Sequence, residues 1–423
     1  MNNILFCYPR PKEKKKIRYG FSLNIAYASA LLKKTGYNTF FIDLSCNDIN
    51  LNDLSVFLQK NSIKVVVIEF DAFALKRSDN ALNGEKIINY LKLNIPDIKI
   101  IAFGFECMIE KRILSNADIT ITQDVLACIV SAVDNVLIKK NSYRYKSYDL
   151  DDLPYPDRKL IETEPYYHHH HDCTLIQTAR GCLNSCTFCQ RQGWQKVHEE
   201  HSLKYVVNEF RWLSKHKYRN IWVVDENFTY NLDRAKNILR ELLRYRITSN
   251  MKLAISSWTH IDDEFLQIAH DANVSIISMG IESANTESLK FYKKNIDLDH
   301  VKYLVNKANE IGVFMVGNFI IGAPNETIND IKNTFSFIEE LQLDQVNIKI
   351  LDYMAGSQLY ERLDRKKYPH NHYFSCAEND LSDIPLQTLK DMKNNFMREY
   401  IQKNKKRIIR KISRFGTPYY SMK

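Results

Sequence analysis

Two successive runs of alternating β-rich and amphipathic segments, a Pro- and Tyr-rich stretch between them, and a basic, helix-patterned end predict an α/β protein. The expected architecture is a doubly wound, Rossmann-like parallel sheet over residues 1–140 and a linker over 141–172. A partial (β/α)6 barrel of TIM type follows over 173–355, then a helical basic region over 356–423.

The first run places strands at "NILFCY" (3–8), "NTFFIDL" (38–44), "KVVVIEF" (64–70), "IKIIAFG" (98–104) and "DITITQ" (118–123). Helical stretches such as "SLNIAYASALLKKTGY" and "EKIINYLKL" separate them. Ligands of such sheets bind beyond the carboxyl ends of the strands, here "PRPKEKKK", "DAFALKRSDN", "GFECM" and "QDVL". The stretch "NSYRYKSYDLDDLPYPDRKLIETEPYYHHHHD" reads as an interdomain linker from its prolines and polarity. Its run His168–His171 reads as solvated imidazoles, with a metal-binding or substrate-facing role as the alternative.

The second run restarts the alternation with "TLIQTAR", "NIWVVDE", "KLAISSW", "VSIISMGIES", "VFMVGNFIIG" and "QVNIKILDY". Helices lie between them, with Ser202 and Asp262 positioned as N-caps for two. Six such units predict an incomplete barrel whose chemistry sits at the carboxyl ends of its strands.

At 423 residues, 45% hydrophobic and 26% charged, the chain has the balance of a globular protein with a sizeable core. The apolar run near the start is too short for a signal peptide, and the longest apolar stretches fall far below the ~20 residues that cross a bilayer. The expectation is a cytoplasmic protein without a membrane partner. The net charge of +9 concentrates in "PKEKKKIR" and "QKNKKRIIRKISR", read as a solubilising face and tail. No aromatic-rich RNA-binding signature accompanies them, so nucleic acid is not an expected partner. Nine cysteines without an export signal argue against a disulfide framework. Cys7, Cys46, Cys107, Cys128 and Cys376 are scattered, and four lie in or beside apolar runs, as small buried hydrophobes do.

Cys182, Cys186 and Cys189 form a C-x3-C-x2-C cluster directly after the first barrel strand. Thiolates favour soft metals. Structural zinc sites usually repeat a C-x2-C pair, and there is no second pair here. A four-iron cluster takes one thiolate per iron, so three cysteines leave one iron open.

The segment "RGCLNSCTFC" resembles the signature of the radical S-adenosylmethionine (SAM) enzymes. The resemblance covers roughly residues 174–355 and implies a [4Fe–4S] cluster on Cys182, Cys186 and Cys189. SAM chelates the open iron in that family and is cleaved reductively to a 5′-deoxyadenosyl radical, which calls for an external flavodoxin- or ferredoxin-type electron donor. By the same resemblance, Phe188 packs on adenine, and Asp225 and Glu226 in "VVDENFT" receive the SAM amino group. "GIESAN" implies Glu282 and Ser283 at the ribose or methionine moiety, with Lys294 at the usual downstream spacing. In "NFIIGAPNET", Ile320 offers backbone groups to adenine and Gly322 allows close approach. Where the family commonly has an arginine after its third strand, "SSWTHID" offers Ser257 or His260.

A doubly wound domain ahead of such a barrel resembles the cobalamin-binding subfamily, whose members are often methyltransferases. That implies cobalamin as a further cofactor and methylation of a small or peptidic metabolite. The loops depart from that pattern: there is no D-x-H-x-x-G, "FGFECM" keeps only Gly104, and Gln123 and Asp124 replace the usual "GE", so bulky residues would crowd a corrin ring. Cobalamin-independent radical chemistry, a transfer-RNA-modifying enzyme and a non-enzymatic iron–sulfur protein are the alternatives. The second three-cysteine domain of the methylthiotransferases is absent, and a bare cluster holder has no use for motifs on four other strands. Neither the substrate nor the residues that act on it are legible.

Overall fold

A computed structural model describes residues 2–9, 22–44, 50–70, 77–109, 116–160, 173–193, 197–354, 356–364 and 381–415. The basic run near the start, the strand-end loops 45–49, 71–76 and 110–115, His168–His171, Cys46 and Cys376 lie outside the described residues. The chain forms two compact units, one built around residues 1–171 and the other around 172–364 with the C-terminal segment.

In the first unit, β1 (Asn3–Tyr8), α1 (Leu23–Lys34), β2 (Asn38–Asp43), α2 (Leu51–Lys60), β3 (Ile63–Glu69), α3 (Arg77–Asn94), β4 (Lys99–Phe103), α4 (Phe105–Ile109), β5 (Ile119–Thr120) and α5 (Val125–Leu137) alternate. The strands order as β2-β1-β3-β4-β5, all parallel. That order reverses between β1 and β3, the point where open α/β sheets form their ligand crevice. Val65, Val66, Val67 and Ile68 are fully buried, as a strand covered on both faces requires. The helices start where side chains satisfy their first amides: Ser22 accepts from Ile25 N, and Asn50 with Asp53 forms a capping box.

The Pro- and Tyr-rich stretch is not the free linker expected of it. Lys146 N donates to Ala127 O, and Asp157 N donates to Ala26 O. The Asp157 carboxylate takes Ser29 Oγ at 2.6 Å and pairs with Lys33 at 2.6 Å. Residues 141–160 are thereby part of the first unit, and the Asp157 contacts join positions more than a hundred apart in sequence.

The second unit runs β6 (Cys173–Ile176), β7 (Ala179–Arg180), β8 (Glu199–Glu200), α6 (Leu203–Lys215), β9 (Asn220–Val223), α7 (Leu232–Arg244), β10 (Lys252–Ser257), α8 (Asp263–Asp271) and β11 (Val274–Glu282). It continues with α9 (Thr286–Phe291), α10 (Leu298–Ile311), β12 (Phe314–Ile321), α11 (Ile328–Leu341), β13 (Gln345–Ile350) and α12 (Leu386–Phe415). Its main sheet is parallel, six-stranded and sequential, β6-β9-β10-β11-β12-β13, an open barrel of six units. Ser202 and Asp262 cap α6 and α8 by accepting from Tyr205 N and Phe265 N.

One expected strand is shorter than its sequence reads. "TLIQTAR" leaves the sheet after Ile176, and Ala179–Arg180 pairs antiparallel with Glu199–Glu200 instead. The basic C-terminal run is also more than a solubilising face. Arg407 and Lys411 reach Asp344, whose side chain is fully buried, at 3.1 and 2.6 Å. Ile408 and Ile412 pack on Ala254, Ile276 and Phe314 near the amino ends of β10, β11 and β12. Among the described residues, no helix is long and apolar enough to cross a membrane.

Candidate active site

The cysteine loop begins at the carboxyl end of β6, where the strand bends away from the sheet. Asp225, at the end of β9, causes the bend. Its carboxylate accepts Thr178 N at 2.6 Å and Thr178 Oγ1 at 2.5 Å. Arg234 of α7 adds bonds to Thr178 O at 2.7 Å and His201 O at 2.9 Å. Burial pushes the Asp225 carboxyl up to about 6 against those hydrogen bonds. With both oxygens engaged by Thr178, Asp225 positions the loop.

Gly181, in the left-handed region at φ +78°, turns the chain into the loop. Its amide donates to Glu226 Oε2 at 3.1 Å, and its carbonyl lies 3.2 Å from His198 Nδ1. Glu226 also pairs with Arg191 at 3.5 Å. The far side of the loop is bolted to the end of α9: Thr187 Oγ1 donates to Phe291 O at 2.9 Å, and Phe188 meets Tyr292 edge-on at 5.3 Å. Leu359 N donates to Thr187 O at 3.2 Å, which brings the segment after β13 to the same loop.

Cys186 is buried, while Cys182 and Cys189 are half-buried. Burial pushes the Cys186 thiol up to about 11, although Lys294 pulls the other way, and the thiols of Cys189 and Cys182 add to the rise. The three sulfurs are thus near enough to sense one another. Among the described residues, no three His, Cys, Asp or Glu side chains converge on one ion position. Three thiols on one loop match a four-iron cluster with one iron left open, so this donor set fits a cluster. Cys173, at the amino end of β6 opposite Asn220, has no part in it.

Glu282, Lys294 and Trp258 form the opposite wall. Glu282 closes β11 with φ +66°, a conformation rare for a residue with a side chain. It is buried and paired with Lys294 at 3.2 Å; burial raises its carboxyl above the ordinary range, with Lys294 and Lys349 opposing. Lys294 also donates to Gly280 O at 3.2 Å and sits 3.9 Å over the Trp258 ring. Gly280 makes the pair possible, because a Cβ there would lie 2.5 Å from Glu282 Oε1.

The remaining expected residues have local partners. Ser283 Oγ accepts Asn285 N at 3.0 Å and lies 3.3 Å from Thr334 Oγ1. Ser257 Oγ lies 2.8 Å from Thr229 Oγ1 and donates to Trp258 O at 2.6 Å. His260 is exposed, its ring 6.0 Å from that of Trp258. Ile320 lies in β12 opposite Lys349 of β13. Gly322, at φ +87°, gives its amide to Glu326 Oε2 at 2.5 Å. Glu326, Trp258, Gly280, Thr178 and Arg234 were not singled out from sequence. Glu326, Gly280 and Trp258 carried a signal, each lying inside a motif already noticed, and Thr178 lies inside a predicted strand.

An open parallel barrel with three thiols beyond the carboxyl end of its first strand is an arrangement suited to holding an iron–sulfur cluster. Residues 176–338 match the model of the radical SAM superfamily, so this part of the second unit is a radical SAM domain. An uncharacterised methyltransferase of Pyrococcus horikoshii is 25% identical over 55% of this chain and 51% of its own. The cytidylyl-2-hydroxyethylphosphonate methyltransferase of Streptomyces wedmorensis is 24% identical over 52% of this chain and 44% of its own. The chain thus spans about half the length of these curated relatives. Among solved structures, the radical SAM methyltransferase TsrM from Kitasatospora setae, with cobalamin and a [4Fe–4S] cluster bound, shares the fold. The TM-score is 0.70 at 14% identity, over 85% of this chain and 74% of that one.

Proposed function

We propose that the chain is a cytoplasmic radical SAM enzyme that holds a [4Fe–4S] cluster on Cys182, Cys186 and Cys189. It binds SAM across the carboxyl ends of β9 to β12 and methylates a small or peptidic metabolite with the help of cobalamin. Electrons come from an external donor of flavodoxin or ferredoxin type. The observation that carries this reading is the three-thiol loop, fixed on one side by Glu226 and on the other by Phe291 and Tyr292. When bound, the cluster would supply the electron that cleaves SAM.

The chain's own contribution is positioning. Asp225 and Arg234 set the bend that aims the loop, and Lys294 offers positive charge beside Cys186. Glu226, Glu282 and Phe188 remain the candidates to face the SAM amino group, ribose and adenine, with Ser283, Ile320 and Gly322 shaping the floor. A carboxylate suits an ammonium group, and Glu226 is the better placed of the acidic pair because Asp225 is spent on Thr178.

Support for cobalamin comes from the cobalamin bound in the TsrM structure that shares this fold and from the first unit's strand order. The crowding expected at its carboxyl edge is relieved at two positions. Phe105, directly after Gly104, is turned into the core at 3% exposure, and Asp124 caps α5 and accepts from Tyr148.

Anaerobic reconstitution followed by joint iron and cobalt analysis tests the reading. The expected result is about four irons per chain, uptake of methylcobalamin, and release of 5′-deoxyadenosine from SAM with reductant. A Cys186→Ala protein that keeps full SAM cleavage would overturn the enzyme assignment. Iron without cobalt would leave radical chemistry and remove methyl transfer through cobalamin.

A further inference from the structure

The inner face of the six-stranded sheet changes chemistry from its amino end to its carboxyl end. Ala254, Ile276 and Phe314 align across β10, β11 and β12, with Trp222 of β9 opposite Ala254. Ile408 and Ile412 of α12 pack on this row and give the barrel an apolar floor. Strand alternation carries the same face onward two residues at a time. Ser256 and Ser278 come next, then Gly280, Asn318 and Asn347, and finally Lys349 opposite Ile320. Those five side chains and Gly280 are all partly or well exposed, whereas Ile255, Met279, Phe319 and Ile348 on the other face are buried. The polar rows above the floor are therefore open to a solute.

The hydrogen bonds on these rows run in one direction. Gln345 Nε2 donates to Asn347 Oδ1 at 3.1 Å, and Asn347 Nδ2 donates to Asn318 Oδ1 at 3.0 Å. Asn318 Nδ2 in turn donates to Ser278 Oγ at 2.9 Å and Met279 O at 3.0 Å. The series ends on a hydroxyl that accepts from an amide and has its own proton left to give. Among the described residues, neither Ser278 nor Ser256 donates to a protein acceptor, and Lys349 is in no ion pair. The carboxylate nearest these rows, Glu282, is paired with Lys294. What the wall leaves open is two hydroxyl protons and one cation, so its complement is a group of oxygen acceptors carrying negative charge.

We infer that this face seats the substrate and that the substrate is an organic acid. Its oxyanion, a carboxylate or a phosphoryl group, lies on Lys349. An acceptor oxygen meets the Ser256 and Ser278 hydroxyls, and an apolar portion points to Trp222 and Val316. The inference rests on the radical SAM reading above and gives its metabolite a chemical class.

The test uses the anaerobically reconstituted full chain and equilibrium dialysis with three probes that carry an oxyanion or its neutral counterpart, a carbonyl and a ring in that order. They are hippurate, the neutral hippuramide and benzamidomethylphosphonate, with SAM dialysed in parallel. The wild-type protein is expected to bind at least one anion about tenfold more tightly than hippuramide, which is ~1.4 kcal/mol. The tighter of the two anions tells carboxylate from phosphoryl. Lys349→Met is expected to erase the preference and leave SAM affinity and melting temperature unchanged. Ser278→Ala is expected to weaken all three probes by roughly fivefold and keep the preference, since it removes a neutral donor. A wild-type chain that binds SAM but binds the probes equally, or not at all, overturns the inference and leaves the enzyme reading standing. So does a Lys349→Met protein that keeps the preference, or one that loses affinity for SAM instead. A chain that binds no SAM removes the enzyme reading and this inference with it.

Discussion

The six-stranded sheet buries a lysine against a carboxylate at each end, and the two pairs are built to different standards. At the amino end, Lys411 donates to Asp344 at 2.6 Å, to Asn309 at 2.7 Å and to Val313 O at 2.8 Å. Asp344 also takes Met315 N at 2.9 Å and Arg407 at 3.1 Å. At the carboxyl end, Lys294 has two contacts at 3.2 Å and an aromatic face, Glu282 sits at a positive φ, and the Tyr292 hydroxyl is unmatched among the described residues. The first network closes a barrel and is complete in itself. Strain and spare hydrogen-bonding capacity gather at the second, the end where barrels do their chemistry.

That contrast can be broken most visibly at the amino end. Asp344→Ala strands a buried lysine and should cost about 3–5 kcal/mol. At roughly 2–4 °C per kcal/mol, the melting temperature should fall by around 10 °C. Iron content and SAM affinity of the folded fraction should not change. A melting temperature within a degree or two of wild type would mean the plug is not structural.

A smaller effect is expected where the two roles meet, at Asp225. Its folded pKa of about 6 lies above its ordinary value of 3.8, so the folded state holds the proton more tightly. The stability from that proton is complete below the lower value and is lost as pH rises through the upper one, a swing on the order of 2–3 kcal/mol. Urea midpoints of wild type measured against Asp225→Asn should therefore diverge between about pH 4 and pH 7, with wild type losing ground as pH rises. Parallel curves would mean that the carboxyl titrates normally despite its burial.

The smallest change is at Gly280. An alanine Cβ would sit 2.5 Å from Glu282 Oε1 and 3.2 Å from Lys294 Nζ, pushing the pair apart. SAM affinity should fall about tenfold, which is ~1.4 kcal/mol, with little change in melting temperature. Unaltered affinity measured by dialysis would remove the Glu282–Lys294 pair from the binding wall.

Much of this was legible because it is local. β-Branched runs such as "KVVVIE" fold as buried parallel strands whatever surrounds them, and Ser202 and Asp262 cap the helices they precede. The three cysteines needed only their spacing. "TLIQTAR" misled because its pattern continues past Ile176, whereas Asp225 and Arg234, 47 and 56 positions from Thr178, pull it out of line. The supposed linker misled in the same way, since its polarity is spent on Ser29 and Lys33.

The sequence alone determined the order of the elements, the two α/β units and the identity of the thiolate loop, because each follows from patterns a few residues long. Which acidic residue is better placed to face a ligand was decided only in three dimensions: Asp225 and Glu226 are neighbours in the chain, yet Thr178 engages both oxygens of Asp225 while Gly181 takes one of Glu226. The same holds for the basic tail, whose Lys411 is charge in the sequence and a buried bolt in the fold. Hydrogen bonds and burial are properties of neighbours in space, and the chain writes down only neighbours in sequence.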